Sequence, residues 1–250
     1  MQITDRVCLV GSGSAGVSMT HDGDCHIFLI DGGHGQLALV DSGVGLGVDE
    51  MLANVRAHGF DPRDIRYLLL THVHADHAGG AAKLHAAIPG LVVACGADVA
   101  DFVRRGDEKG ISLDMGKKGG YYAPEYRFEP CPVELELTDR QVIELGDLAI
   151  EAIATPGHSS GHMAFVFDDK SAGKRCLISG DLLFFGGKIL LQSIWDCDLQ
   201  AHLRSIRKLA NSKIDVFLPS HGAFSLKNGQ RHIDAAIGYM DRCLTPPSYL

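Results

Sequence analysis

No stretch of this 250-residue sequence stays apolar over the roughly 18–20 residues that cross a bilayer, and no basic segment leading into an apolar one opens it. A soluble, unexported, cytoplasmic chain without a membrane partner is the expectation. There is no C-x-x-C either. The seven cysteines, Cys8, Cys25, Cys95, Cys131, Cys176, Cys197 and Cys243, are odd in number and widely spaced, which suits buried thiols in a reducing compartment better than a disulfide framework. Positive charge is also scarce. With 23 Lys and Arg against 31 Asp and Glu the formal net charge is −8, so a phosphate backbone meets no general attraction. Arg204, Arg207, Lys208 and Lys213 read as the solvated face of one helix, and nucleic acid is not an expected partner. No fixed-period repeat or low-complexity tract occurs.

What is present is ample material for a core: 46% hydrophobic residues, 22% charged residues and 30 glycines. That length allows one large domain or two small ones. Apolar runs at 26–31 and 36–43 read as strands joined by a turn at Asp31-Gly32-Gly33. Residues 48–59 have helical spacing, with Met51, Leu52 and Val55 on one face and Gly59 as the stop. A strand at 65–71, a helix at 80–88, a strand at 91–95 and a helix at 97–106 follow. Strands recur at 141–146, 148–155, 163–169, 175–181 and 214–220, with helices near 198–210 and 230–243. This order fits sheets covered by helices better than a purely parallel series of strand-helix-strand units. Residues 107–135, rich in Gly, Pro, Lys and aromatics, read as an insertion over the surface.

One apparent motif is a decoy. Gly11, Gly13 and Gly16 match G-x-G-x-x-G after an apolar run, but turn residues and another strand follow where a dinucleotide site needs a helix N-terminus. These glycines read as a connection between strands.

The chemistry concentrates in "LLLTHVHADHAGG" (68–80), where His72, His74, Asp76 and His77 fall within six positions directly after an apolar run. Side chains two apart in an extended turn point the same way, so His72 and His74 can grip one metal while Asp76 and His77 face an adjacent point. Three later turns have the same design, a ligand-type residue after an apolar strand beside Gly or Pro: "IATPGHSSGH" with His158, "LISGDLLF" with Asp181 and "FLPSHG" with His221. Strand ends from both halves can bring them to one edge of the fold. His21, His26, His34, His58, His85, His202 and His232 are assigned to surface or core.

H-x-H-x-D-H followed by single His, Asp and His turns in that order resembles the metallo-β-lactamase fold hydrolases, over roughly residues 24–240. The resemblance implies an α/β chain folded as a single αββα sandwich over 1–250, with two internally similar halves and a binuclear site in the groove between them. It also implies His72, His74 and His158 on the first metal, Asp76, His77 and His221 on the second, and Asp181 bridging both. Asp41 in "LVDSG" resembles the family's aspartate that orients ligand imidazoles; a turn cap is its alternative reading.

Two divalent ions ~3.5–4 Å apart would acidify a bridging water and polarise the substrate oxygen, which is chemistry for hydrolysis. Nitrogen and oxygen donors without thiolate suit Zn2+, with Fe, Mn or Co as alternatives. Asp76 is expected both as ligand and as the catalytic group that orients the hydroxide and passes its proton on. A lactone or carboxylic ester is the expected small-molecule substrate. Thioester hydrolysis of the glyoxalase II kind, or iron-dependent persulfide oxidation, is the alternative, and β-lactam turnover is expected to be weak. The acyl-homoserine lactonases carry a tyrosine three residues after the bridging aspartate, where this chain has Phe184. Tyr121 and Tyr122, in the 107–135 segment, are the other candidate substrate contacts. That segment is expected either to act as a lid or to pack onto the domain or onto a second copy of the chain as a homodimer.

Overall fold

The structure, a computed structural model, describes all 250 residues. Two sheets carry it. The first holds β1 (Val7–Gly11), β2 (Ile27–Asp31), β3 (Leu37–Val40), β4 (Ile65–Leu69), β5 (Val92–Gly96) and β6 (Leu135–Leu137), side by side in that order. The second holds β7 (Gln141–Leu145), β8 (Leu148–Ala154), β9 (Met163–Asp169), β10 (Lys174–Gly180) and β11 (Val216–Pro219), in the order β11-β10-β9-β8-β7. Hairpin contacts β1 to β3 are antiparallel and β3 to β6 parallel; the second sheet is antiparallel except where β10 meets β11.

Both faces of each sheet are covered, which explains why the central strands read as unbroken apolar runs rather than alternating ones. In β2, Phe28 and Ile30 face the second sheet, where they join Ile150, Phe165, Phe167, Ile178 and Leu218. Ile27 and Leu29, one position out of phase, pack on the opposite side with Met51, Leu52, Val55 and Leu84. Those partners come from α1 (Val48–Ala57) and α3 (Ala81–Ala87), which share this face with α4 (Ala100–Arg105) and α5 (Leu113–Lys118); the four-residue α2 (Ala75–Ala78) lies in the His-rich turn. The outer face of the second sheet is closed by α6 (Leu199–Lys208) and α7 (Gln230–Asp241), through Ile206, Leu209, Ile233 and Ala236 on Val166, Leu177 and Phe217. The layers are helix, sheet, sheet, helix. No helix is long and apolar enough to cross a membrane.

The structure revises several expectations. Residues 107–135 do not lie wholly over the surface. Ile111, Leu113, Phe128, Cys131 and Val133 are buried in the same cluster as Leu29 and Val55, because the segment closes the end of the first helical layer. The cysteines are all free, but Cys197 is half-buried and Cys243 exposed, so only five fill the interior. Lys213 lies beyond the end of α6 and does not share its face with Arg204, Arg207 and Lys208.

The glycine-rich decoy has a packing reason. A Cβ on Gly13 would collide with the Asp22 carbonyl, and one on Gly16 with the His26 ring. That ring is fully enclosed. Its Nε2 donates to the Gly222 carbonyl at 2.8 Å, and its Nδ1 accepts from the Ser12 hydroxyl at 2.9 Å, a pairing that needs the neutral imidazole. Burial holds His26 down at about 4, against about 6.5 in an unfolded chain. The unfolded chain therefore takes up the proton first as pH falls, and stability is lost between pH 6.5 and 4, by roughly 3 kcal/mol in all. Denaturant melts with chelator present, compared with His26→Gln, are expected to show this loss in the parent and a flatter profile in the variant. Parallel profiles would exclude the assignment.

Candidate metal centre

The candidate site forms where strands end. In the first sheet β3 and β4 run parallel, so Asp41 and the 71–77 turn leave from the same edge. In the second sheet β8, β10 and β11 share a direction, and the turns holding His158, Asp181 and His221 follow their C-terminal ends. Stacking the sheets brings the two edges together, in the manner of ligand sites at the carboxyl ends of strands.

Two clusters result. His72 Nε2 lies 3.1 Å from His74 Nδ1, which lies 3.2 Å from His158 Nε2. His72 Nδ1 and His158 Nδ1 face the Thr71 hydroxyl at 3.1 Å and the Leu190 carbonyl at 3.3 Å. Protons kept on those outer nitrogens leave the Nε2 lone pairs aimed at the common point. In the second cluster, Asp76 Oδ2 is 3.3 Å from both His77 Nε2 and His221 Nε2. Asp181 stands between them: Oδ1 is 3.7 Å from His77 Nε2, while Oδ2 is 3.5 Å from His158 Nε2 and 3.6 Å from His221 Nε2. All seven ligand-type residues singled out in the sequence therefore meet at one place.

The surroundings orient these atoms. Asp41 is fully buried, with a left-handed φ of 65°. Its Oδ2 accepts from His77 Nδ1 at 2.9 Å, and its Oδ1 from the Thr71 amide at 2.7 Å. The Thr71 hydroxyl, which receives His72 Nδ1–H, donates in turn to Asp41 Oδ2 at 2.8 Å. One carboxylate thus meets His77 directly and His72 through Thr71, the arrangement by which an outer carboxylate sets imidazole tautomers.

Burial and neighbouring imidazoles hold His72 and His158 well below the ordinary histidine range, so both are neutral donors. Burial also pushes Asp181 up. In the second cluster burial opposes the charges but does not prevail. His77 and His221 hold Asp76 well below the carboxylate range, while the surrounding carboxylates raise His77 and His221.

The donor set fits divalent ions. Two buried atoms that face the clusters have no hydrogen-bond partner, His77 Nε2 and Asp181 Oδ1, and orphaned buried polar atoms are costly unless something meets them. The 3.1–3.2 Å nitrogen separations of the first cluster are close to the about 3.3 Å between ligands on a tetrahedron of ~2.0–2.1 Å radius. Clusters of His72, His74 and His158, of His72, His77 and Asp181, and of Asp76, His77 and His221 all have the spacing to hold a cation. Cys25, Asp41 and His77 satisfy the same spacing. There, however, burial pushes the thiol up so that it stays protonated, and Asp41 is already committed to His77 and Thr71.

Two further residues of the site, His162 and Asp196, lie outside the pattern of ligand turns. His162, four residues after His158, accepts the Asp181 amide at 3.1 Å through Nε2 and meets the Thr155 hydroxyl at 2.8 Å through Nδ1. Its ring packs against Gly180, where a Cβ would come 2.6 Å from Nε2. The second is Asp196, buried beside His74 with Oδ2 3.4 Å from its Nε2. Nothing around it in "SIWDCD" marks it.

The candidate substrate residues separate. Phe184 is completely buried and stacks under Tyr249 at 4.3 Å, so its ring does not itself line the groove. The Tyr122 hydroxyl donates to Asp76 Oδ1 at 3.1 Å; burial, together with Asp76, raises its phenol well above the usual range and keeps it protonated. Tyr121 is 77% exposed. It lines a half-open cavity of about 480 Å³ with Tyr122, Tyr126, Val44, Leu46 and Lys83.

Comparison with known proteins agrees with this geometry. The sequence profile of the Metallo-beta-lactamase superfamily matches residues 21–221. The chain is 28% identical over 223 residues to the lactamase-like protein aptB of Emericella nidulans, covering 88% of this chain and 58% of that one. It is 26% identical to the atrochrysone carboxyl ACP thioesterase of Aspergillus fumigatus, covering 96% and 63%, and so spans about three fifths of the length of these relatives. A hydroxyacylglutathione hydrolase of Anaeromyxobacter dehalogenans is 30% identical over 66% of this chain and 48% of its own. Among solved structures, a metallo-beta-lactamase of Cronobacter sakazakii superposes with a TM-score of 0.72 at 24% identity, covering 97% and 96%. GOB-18 of Elizabethkingia meningoseptica does so with 0.73 at 19%, covering 97% and 89%. At these identities the structural likeness establishes the fold.

Proposed function

Because the chain belongs to the metallo-beta-lactamase superfamily, we propose that it is a binuclear metallohydrolase that cleaves an acyl bond, with a thioester as the favoured substrate class. The observation that carries this reading is the placement of Asp181, whose two carboxylate oxygens face the two clusters of imidazoles at 3.5–3.7 Å. His72, His74 and His158 would hold one ion, Asp76, His77 and His221 the other, and Asp181 both. Zinc suits a donor set of nitrogen and oxygen without thiolate. Bound there, such ions supply an acidified water and Lewis-acid polarisation of the carbonyl.

The chain's own groups supply orientation. Asp41 holds His77, and Thr71 holds His72, in the tautomers that present Nε2. Asp76 Oδ2 faces inward between His77 and His221, where it can accept the O–H of the attacking water and direct its lone pair. Proton supply to a leaving group is poor: Phe184 has no proton to give, and the Tyr122 proton is engaged by Asp76 Oδ1.

That deficiency bears on the substrate. A thiolate leaves without protonation because its conjugate acid has a pKa near 8.5, whereas an alkoxide needs a donor. The names of the relatives, a thioesterase and a hydroxyacylglutathione hydrolase among them, point the same way and move the preference from lactone to thioester. The cavity bordered by Tyr121, Tyr122 and Leu46 is the proposed seat of the acyl group.

The test is metal quantification followed by esters and thioesters of one bulky acyl group. Two ions per chain are expected. Thioester and phenyl ester should react at similar rates, and the alkyl ester slower in kcat/KM by about 10²-fold or more, the low end of what a positioned general acid contributes. Tyr121→Ala is expected to raise KM for the bulky acyl group without loss of metal. Equal rates for thioester and alkyl ester, with chemistry rate-limiting, would rule out the leaving-group argument.

A further inference from the structure

We infer that the 107–135 segment is a positioning element for the metal-binding side chains, reaching one ion site through Tyr122 and Asp76 and the other through Ser112, Asp196 and His74. The inference rests on the binuclear reading and goes beyond it, since none of these three outer residues belongs to the H-x-H-x-D-H pattern or its partner turns.

The first arm is a tyrosine. Tyr122 donates to Asp76 Oδ1 at 3.1 Å, leaving Oδ2 to face His77 and His221. A carboxylate with both oxygens free can rotate about its terminal bond or chelate with either oxygen; a donor on one oxygen selects the other. The phenol is itself held in place. Its ring stacks on Tyr126 at 5.6 Å, and the Tyr126 hydroxyl donates to the Val44 carbonyl at 2.9 Å, pinning the segment to the loop that follows β3.

The second arm is an aspartate from a different loop. Asp196 accepts the Ser112 hydroxyl at 2.7 Å on Oδ1 and the Ser159 hydroxyl at 2.8 Å on Oδ2, and is 93% buried. Ser159 is the neighbour of His158, so the carboxylate ties the 107–135 segment to the turn that presents that histidine. Oδ2 also lies 3.4 Å from His74 Nε2, a buried nitrogen that has no hydrogen-bond partner. Only the nitrogen on the far side of the ring, Nδ1, faces the first cluster. An outer carboxylate on the remaining nitrogen is the arrangement that sets ring orientation and raises ligand basicity. Asp41 plays that part for His77, and Asp196 stands in the corresponding place for His74.

The geometry also separates this role from that of a lid. A lid touches substrate and moves, whereas Leu113 and Phe128, at either end of the stretch that carries Tyr122, are buried in the helical-layer core.

The experiment is stepwise Co2+ and Zn2+ binding to the full chain, by competition with a chromophoric chelator. The solvent-exchangeable imidazole N–H resonances of the Co2+ form are recorded alongside. Tyr122→Phe removes one oxygen and is expected to weaken one of the two ions by about 10–100-fold, the usual effect of losing an outer-shell partner. Asp196→Asn is expected to weaken the other ion and to broaden or shift one imidazole N–H resonance, that of His74. Lys118→Ala, in the same segment but with an exposed side chain that meets only Asp114 and Met115, serves as the control and should bind both ions as the parent does. If the parent binds two ions and Tyr122→Phe and Asp196→Asn bind them with parental affinity, the inference is overturned. A change confined to KM in Tyr122→Phe overturns it too, in favour of a substrate contact. Equal losses in Lys118→Ala assign the effect to general loosening of the segment and likewise overturn it. A parent that binds no ion, or a single one, defeats instead the binuclear reading beneath it.

Discussion

Asp181→Ala is expected to lose metal and turnover together, by more than the ~10–100-fold that follows loss of an outer-shell partner. The carboxylate is the single group whose two oxygens face both imidazole clusters, at 3.5–3.7 Å. Without it, each cluster keeps three ligands and nothing holds the two ions at a shared distance. The fold should survive. Asp181 Oδ1 has no hydrogen-bond partner within the chain, and the hydrogen bond to His162 comes from the Asp181 amide, which alanine retains. Metal content by elemental analysis, with circular dichroism as the folding check, decides the matter. A folded Asp181→Ala protein holding two ions and full activity would remove Asp181 from the bridging position.

Asp41 carries the next largest effect, and two substitutions separate its two duties. Asp41→Ala leaves the His77 Nδ1–H, the Thr71 amide and the Thr71 hydroxyl without an acceptor in a fully buried place. Each unmet donor costs about 1–3 kcal/mol, so the melting temperature should drop and the metal be lost. Asp41→Asn is nearly isosteric and keeps an oxygen for the Thr71 amide, but it can present an N–H to His77 Nδ1. The imidazole then moves its proton to Nε2 and gives up the lone pair it would offer an ion. A folded Asp41→Asn variant with about 10–100-fold weaker metal binding is the expected result. Parental affinity in that variant would show that the tautomer of His77 is set by something other than Asp41.

The contrast between Asp41 and Asp196 shows how far the site could be read without coordinates. Asp41, in "LVDSG" at the end of an apolar strand, is marked by its resemblance to the family's aspartate that orients ligand imidazoles. Asp196 stands beside the His74 ring in an irregular stretch with no apolar run or glycine next to it, and nothing in the sequence marks it. His162 lay in plain view four residues from His158, but spacing does not tell which histidine of a turn points inward. Phe184 stands apart from the groove for a related reason. Its offset from Asp181 was visible, while the Tyr249 ring that covers it comes from 65 residues further on.

The helix-sheet-sheet-helix order came from the family resemblance; the sequence by itself determined that sheets are covered by helices, and the identity of the seven converging side chains. Both depend on local information: the period of apolar residues, which decides what each segment can bury, and the strand-turn punctuation, which places His, Asp and Gly at strand ends. Only the tertiary structure decided which nitrogen of each imidazole faces inward, that Asp181 stands between the clusters, and that Tyr122 and Asp196 back the site. These are relations between atoms brought together across long separations, as with His74 and His158, 84 positions apart. They are fixed when two sheets pack face to face and their edges meet. Close packing and the cost of an unmet buried donor then leave each side chain few orientations, and no pattern along the chain encodes which one remains.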